Sequence, residues 1–151
     1  MTKEDLQRAA VVTEALSWLQ TPFAHDQCVK GVGADCATFI AAVYGKVGVF
    51  RADVPHFQPD WFLHTTKESY VEGIEQHAVE FDPDERPPVQ ADIVIVRDVA
   101  IGAQVYSHGA IVLDWPNVVQ CFPPCVMRAN TRYFPAFQNK QLRLFNPWEK
   151  Q

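Results

Sequence analysis

Apolar positions recur at a helical period in the first half of the chain and gather into short β-branched runs in the second. Leu6, Ala9, Ala10, Thr13, Leu16 and Leu19, with Trp18 beside them, form one stripe of helical period. Thr2 can cap this helix with Asp5 in its first turn, and Pro22 disfavours helix at Thr21, so the pattern predicts a helix over 3–19. Phe39, Ile40, Val43 and Tyr44 form a second stripe directly behind a glycine-rich stretch, and Gly45 and Gly48 end it. A third helical pattern covers 61–76, with Trp61, Leu63, His64, Val71 and Ile74 turned inward and Lys67, Glu68, Glu72 and Glu75 outward. Runs at 92–97, 108–113, 118–122, 125–128 and 141–145 predict strands, with a turn at Pro116-Asn117. Helices followed by an antiparallel meander predict an α+β fold, the N-terminal helices packed on one face of a C-terminal sheet.

Length and charge narrow the function classes. The 151 residues suit a single domain over 1–151 with a substantial core. A net charge of −5 without any basic stripe argues against a nucleic-acid binder. Met1 to Arg8 has no apolar core of a signal peptide, and no run is long enough to span a bilayer. Synthesis in the cytoplasm is expected, any export requiring another route. Cys28, Cys36, Cys121 and Cys125 are too few and too irregular for a disulfide scaffold, and no Cys/His knuckle matches them. Free thiols are expected, with no metal and no cofactor.

The candidate chemistry lies in Gly31-Val32-Gly33-Ala34-Asp35-Cys36. Asp35 is a good N-cap, which puts Cys36 at the first helical position. The helix end there favours thiolate, and the unpaired Cys36 amide can donate to a developing oxyanion. A buried structural cysteine is the bland alternative. A thiol nucleophile needs an imidazole, and His108 opens a strand, a rigid mount, with Gly109 permitting close approach beside it. Gln120 is the polar residue in the apolar run of the following strand. It either orients His108 or faces solvent. His25, in the loop ahead of Cys36, either lines the cleft or is a solvated loop residue.

With these pieces in place the sequence resembles the NlpC/P60 cysteine peptidases, most closely the subgroup encoded with phage tail and gene-transfer-agent genes. Trp18-Leu19-Gln20-Thr21-Pro22-Phe23 and Gly31 to Cys36 resemble the family's "GTPY…G…DC" segment. Gln90-Ala91-Asp92 resembles its "PGD" segment, and Ser107-His108-Gly109-Ala110-Ile111 its histidine strand. The resemblance implies a papain-like fold with Cys36 as nucleophile, His108 as base and Gln120 as the third polar residue. Phe23, His25, Asp35, Ala37 and Ser107 would line the substrate or oxyanion site. It also implies hydrolysis of peptidoglycan peptides, the usual bond joining D-γ-glutamate to a diamino acid, with phage tail proteins as further partners and action at a virion tail or in the periplasm. Phe23 replaces the usual tyrosine, removing a donor to the oxyanion or substrate, and Ala37 replaces a small polar residue on which recognition of a free amine would depend. Two alternatives stay open: a hydrolase of other amides or esters, and a tail component with a weakened pocket.

Overall fold

The computed structural model describes residues 1–138 and 141–151. Helix α1 runs over Lys3–Leu16, its N-terminus closed by a capping box in which Thr2 and Asp5 hold each other's amides. It stops short of the predicted Leu19 because Gln20 takes a left-handed conformation, φ 74°, and gives its N–H to the Val126 carbonyl. Its buried face is Arg8, Val11 and Ala15, whereas Leu6 is 59% exposed. The apolar stripe read from sequence was therefore rotated.

Two short strands, β1 (Cys28–Val29) and β2 (Gly33–Ala34), form a hairpin that delivers the chain to helix α2, Cys36–Val47. A Cβ on Gly33 would stand 2.9 Å from the Ala24 Cβ as well as press on the Gln27 side chain, so glycine relieves a crowded hairpin. Gly48, left-handed at φ 86°, ends α2, and Gly45 lies inside it. The predicted helix over 61–76 is broken. A 3-10 turn spans Trp61–Leu63, and α3 covers only Ser69–Glu75. Between them Thr65 accepts from the Lys67 N–H, a local turn that competes with helix at two β-branched residues.

The main sheet is antiparallel, in the order β3-β8-β4-β5-β6-β7. Its strands are β3 (Val79–Phe81), β4 (Ile93–Val96), β5 (His108–Asp114), β6 (Asn117–Phe122), β7 (Cys125–Asn130) and β8 (Leu142–Asn146). A simple meander holds only for β4 to β7. The chain then returns β8 to the far side of β4, where it carries the unpredicted edge strand β3. The sheet is buried on both faces. Ile93, Ile95, Ile111, Val119 and Phe145 join Val11, Phe39, Val43 and Tyr44 of the helices, while Val94, Val96, Ala110, Val112 and Leu144 pack under Ala136 and Phe137. Both faces being covered explains the continuous β-branched runs. The result is the papain-like α+β arrangement, helices on one face of an antiparallel sheet.

Candidate active site

Cys36 is the first residue of α2, and its approach is held from three sides. Phe23 N–H donates to the Pro124 carbonyl, Ala34 N–H to Pro22 and Ala24 N–H to Ala34. These bonds knit the segment before α2 to the start of β7. Asp35 then caps the helix: Oδ1 accepts from the Ala37 and Thr38 amides, and Thr38 Oγ1 returns a bond from the Asp35 amide. Asp35 Oδ2 accepts from the Asp26 amide, so the buried carboxylate is fully engaged.

The sulfur lies against the start of β5. Cys36 Sγ donates to the Ser107 carbonyl at 3.7 Å and faces the Gly109 backbone, the two residues flanking His108. β5 pairs with β6 only at Ile111–Val119 and beyond, whereas His108, Gly109 and Ala110 are held on the other side by Val96, Ile95 and Val94 of β4. The sulfur therefore rests against the end of β5 that β6 does not pair.

His108 is buried, and its Nε2 lies 2.6 Å from Gln120 Oε1. Because that oxygen only accepts, Nε2 carries the proton and Nδ1 keeps the lone pair. Gln120 is fully buried rather than solvent-facing. Phe122 and Phe137 pack on the imidazole at centroid distances of 5.2 and 5.9 Å, and this apolar seat holds its pKa below the ordinary histidine value. His108 is thus neutral at neutral pH. Among the described residues no hydrogen bond joins it to Cys36.

The expected thiolate is overturned. Burial, aided by the Asp35 charge, pushes the Cys36 pKa up to about 12. Desolvation outweighs the helix terminus because half a charge at a helix end contributes only about 1 kcal/mol, less than the cost of burying an anion. Three groups oppose the rise: the Tyr70 hydroxyl, then the Gly109 and Cys36 amides.

Tyr70 is the functional side chain that sequence reasoning missed. It comes from α3, outside every motif, and its buried hydroxyl lies beside the sulfur without an aligned hydrogen-bond partner among the described residues. A Cβ on Gly109 would stand 2.7 Å from that hydroxyl, so the strand glycine is what admits it. The only sequence signal was that glycine.

The remaining lining candidates divide. Phe23 is half-buried in the helix-side core, Ala37 borders a pocket on the α3 side, and Ser107 offers its carbonyl. His25 packs on the connection that follows α2 and makes no hydrogen bond to the sulfur among the described residues. Its Nε2 meets the Phe57 carbonyl at 2.5 Å and its ring packs on Phe57, while His56 bonds Asp26 at 2.7 Å. These contacts clasp the 50–57 connection to the loop before α2. His25, Asp26 and Asp35 bring ligand-type atoms within 4.8 Å of one another, but internal hydrogen bonds already occupy both Asp35 oxygens and the His25 Nε2. That cluster is a clasp. The other cysteines are free, Cys121 donating to the Ala34 carbonyl at 3.1 Å.

No protein-family model and no curated protein sequence matches the chain. Solved structures do. The NlpC/p60 domain of the peptidoglycan hydrolase SagA superposes with a TM-score of 0.64 at 16% identity, covering 92% of this chain and 97% of that domain. A lipoprotein-like NLP/P60 protein of Staphylococcus aureus gives 0.64 at 14% identity over 95% of this chain, which spans 42% of that protein. RipD of Mycobacterium tuberculosis, a non-catalytic NlpC/p60 domain protein adapted to peptidoglycan binding, gives 0.61 at 12% identity over 93% of this chain and 96% of that one. These superpositions, at near-full-length coverage of this chain, show one architecture: this chain has the NlpC/P60 fold.

Proposed function

We propose that the chain is a cysteine hydrolase of cell-wall peptides, with Cys36 as nucleophile, His108 as base and Gln120 as the residue that orients it. The observation that carries this reading is the 2.6 Å contact between Gln120 and His108 Nε2, on the strand against which the sulfur rests. It leaves Nδ1 as the basic nitrogen, while burial keeps the imidazole neutral and ready to accept a proton. Since the resting thiol is protonated, attack and proton transfer are coupled. Sγ bonds to the scissile carbonyl carbon as its proton passes to Nδ1, and the Cys36 amide, which has no helical acceptor, faces the oxyanion. The imidazolium protonates the leaving amine, and water then releases the acyl group from sulfur.

The bond between D-γ-glutamate and a diamino acid, and association with a phage tail, are proposals that rest on the motif resemblance. Incubation with muropeptides, products followed by mass, tests the reading: wild type cleaves one peptide bond, and Cys36→Ala and His108→Ala do not. A second reading, a peptidoglycan-binding protein without turnover, is favoured by the raised Cys36 pKa and by Phe23 and Ala37. Binding of muropeptides without any cleavage by wild type would establish it in place of the first.

A further inference from the structure

A pocket of about 540 Å³ opens on the α3 side of Cys36. Its floor and walls are mostly apolar: Ile40 and Ala41 of α2, Phe50, Phe57, Trp61 and Ile74, with the half-buried His77 ring stacked on Phe50. Asp53, His56 and Glu72 also border it, but these are exposed and stand at its mouth. Two of its lining residues belong to the site as well. Ala37 follows the nucleophile directly, and Tyr70 sets its hydroxyl beside the sulfur. The cavity therefore borders the place where a substrate carbonyl would sit, with Ala37 and Tyr70 between it and the sulfur.

We propose that this pocket is a specificity subsite for an apolar group, an aromatic ring or a short acyl chain, carried by the substrate next to the scissile carbonyl. The inference rests on Cys36 being the reacting group, and it departs from a D-γ-glutamyl substrate, whose polar α-carboxyl end such walls would not receive. The volume falls within the range of small-molecule sites and exceeds what a methyl side chain would fill. A charged group inserted past the mouth would lose its hydration against Ile40, Phe50 and Trp61, with no counter-charge on those walls. At Ala37 no hydroxyl is present to receive an ammonium group. An apolar group would instead exchange water for aromatic and aliphatic contacts on several sides.

The test uses alkylation of the full chain, which needs no turnover. N-methyl-, N-hexyl- and N-benzyl-iodoacetamide are compared at one pH, and the rate at each cysteine is read by peptide mass as sulfur displaces iodide. The hexyl and benzyl reagents should label Cys36 about tenfold faster than the methyl one, relative to exposed Cys28 in the same sample. Ala41→Trp, and separately Gly73→Leu, whose new Cβ meets open space, should erase that ratio in protein whose circular dichroism is unchanged. Equal rates for the three reagents, or a gain of the same size at Cys28, would overturn the proposal. So would a ratio that survives both filling variants. Muropeptide digestion reads the hydrolase proposal separately: a chain-length gain without cleavage sinks that reading and leaves the subsite standing, and cleavage without the gain does the reverse.

Discussion

The Cys36 sulfur sits between opposing influences of unequal weight. Burial and Asp35 favour the thiol, and Tyr70 with two backbone amides favours the thiolate. A hydroxyl beside the sulfur of this half-buried cysteine contributes about 0.5–1.5 kcal/mol, enough to change a rate but not to reverse the balance. Tyr70→Phe should therefore raise the Cys36 pKa further and slow its iodoacetamide labelling at pH 9 by about threefold to tenfold, with Cys28 unaffected. A merely packing role for the ring would leave the labelling profile where it is. His108 titrates in the opposite sense. Its folded pKa lies below 6.5, so the unfolded chain binds a proton first as pH falls below that value, and stability declines there. Any Cys36–His108 chemistry should accordingly keep its base at pH values where an exposed histidine would already be charged. Ala91 illustrates a further constraint at this scale. It holds φ 66° where the resembling motif has glycine, fixed by bonds from its N–H to Val112 and from Tyr44 to its carbonyl.

Helix α2 was legible because both of its ends carry chemistry that acts locally: Asp35 can only cap forwards, and Gly48 tolerates the left-handed exit. The same locality made β5 and β6 legible, with His108 and Gln120 separated by one hairpin. The α3 region was not legible. Its apolar spacing suits one long helix, but the turn at Thr65–Lys67 divides it, and Tyr70 acquires its role only through a neighbour far along the chain. Strand β3 was missed for a similar reason, since Val79–Phe81 is fixed by pairing with β8 rather than by its own pattern. The α2 cap separates structure from electrostatics. Asp35→Ala removes bonds from three amides and should cost about 1–2 kcal/mol, lowering the melting temperature by about 2–8 °C. Asp35→Asn keeps an acceptor while removing the charge, so it should restore much of the stability and speed Cys36 alkylation. Slower alkylation in the asparagine variant would show that the cap, and not the charge, governs the thiol.

Across the whole molecule, the two chain ends and the sheet meet at one buried ion cluster. Asp92, fully buried at the start of β4, accepts from Arg8 of α1 at 3.0 Å, from Arg86 at 2.8 Å and from the Val89 amide at 2.8 Å. Arg8 also bonds Asn146 of β8 and lies 4.2 Å over the Trp148 ring. The sequence presented Asp92 as part of a catalytic-family motif, yet its contacts are architectural. Strand register places it at the end of β4 opposite the active site, because Ile93 pairs with Ile111 and Val96 with His108. Removing its carboxylate would leave the buried Arg8 guanidinium with only the half-exposed Glu4, at 2.9 Å, as counter-charge, so the cost should fall toward the lower end of the about 3–5 kcal/mol typical of a broken buried pair. Asp92→Ala should thus shift the urea midpoint sharply downward. The protein that remains folded should still show the wild-type pH profile for Cys36 alkylation. A variant that kept its midpoint but lost that profile would place Asp92 in the chemistry of the site. Separation of the two effects would instead mean that this fold isolates its reacting end from the cluster that holds its termini.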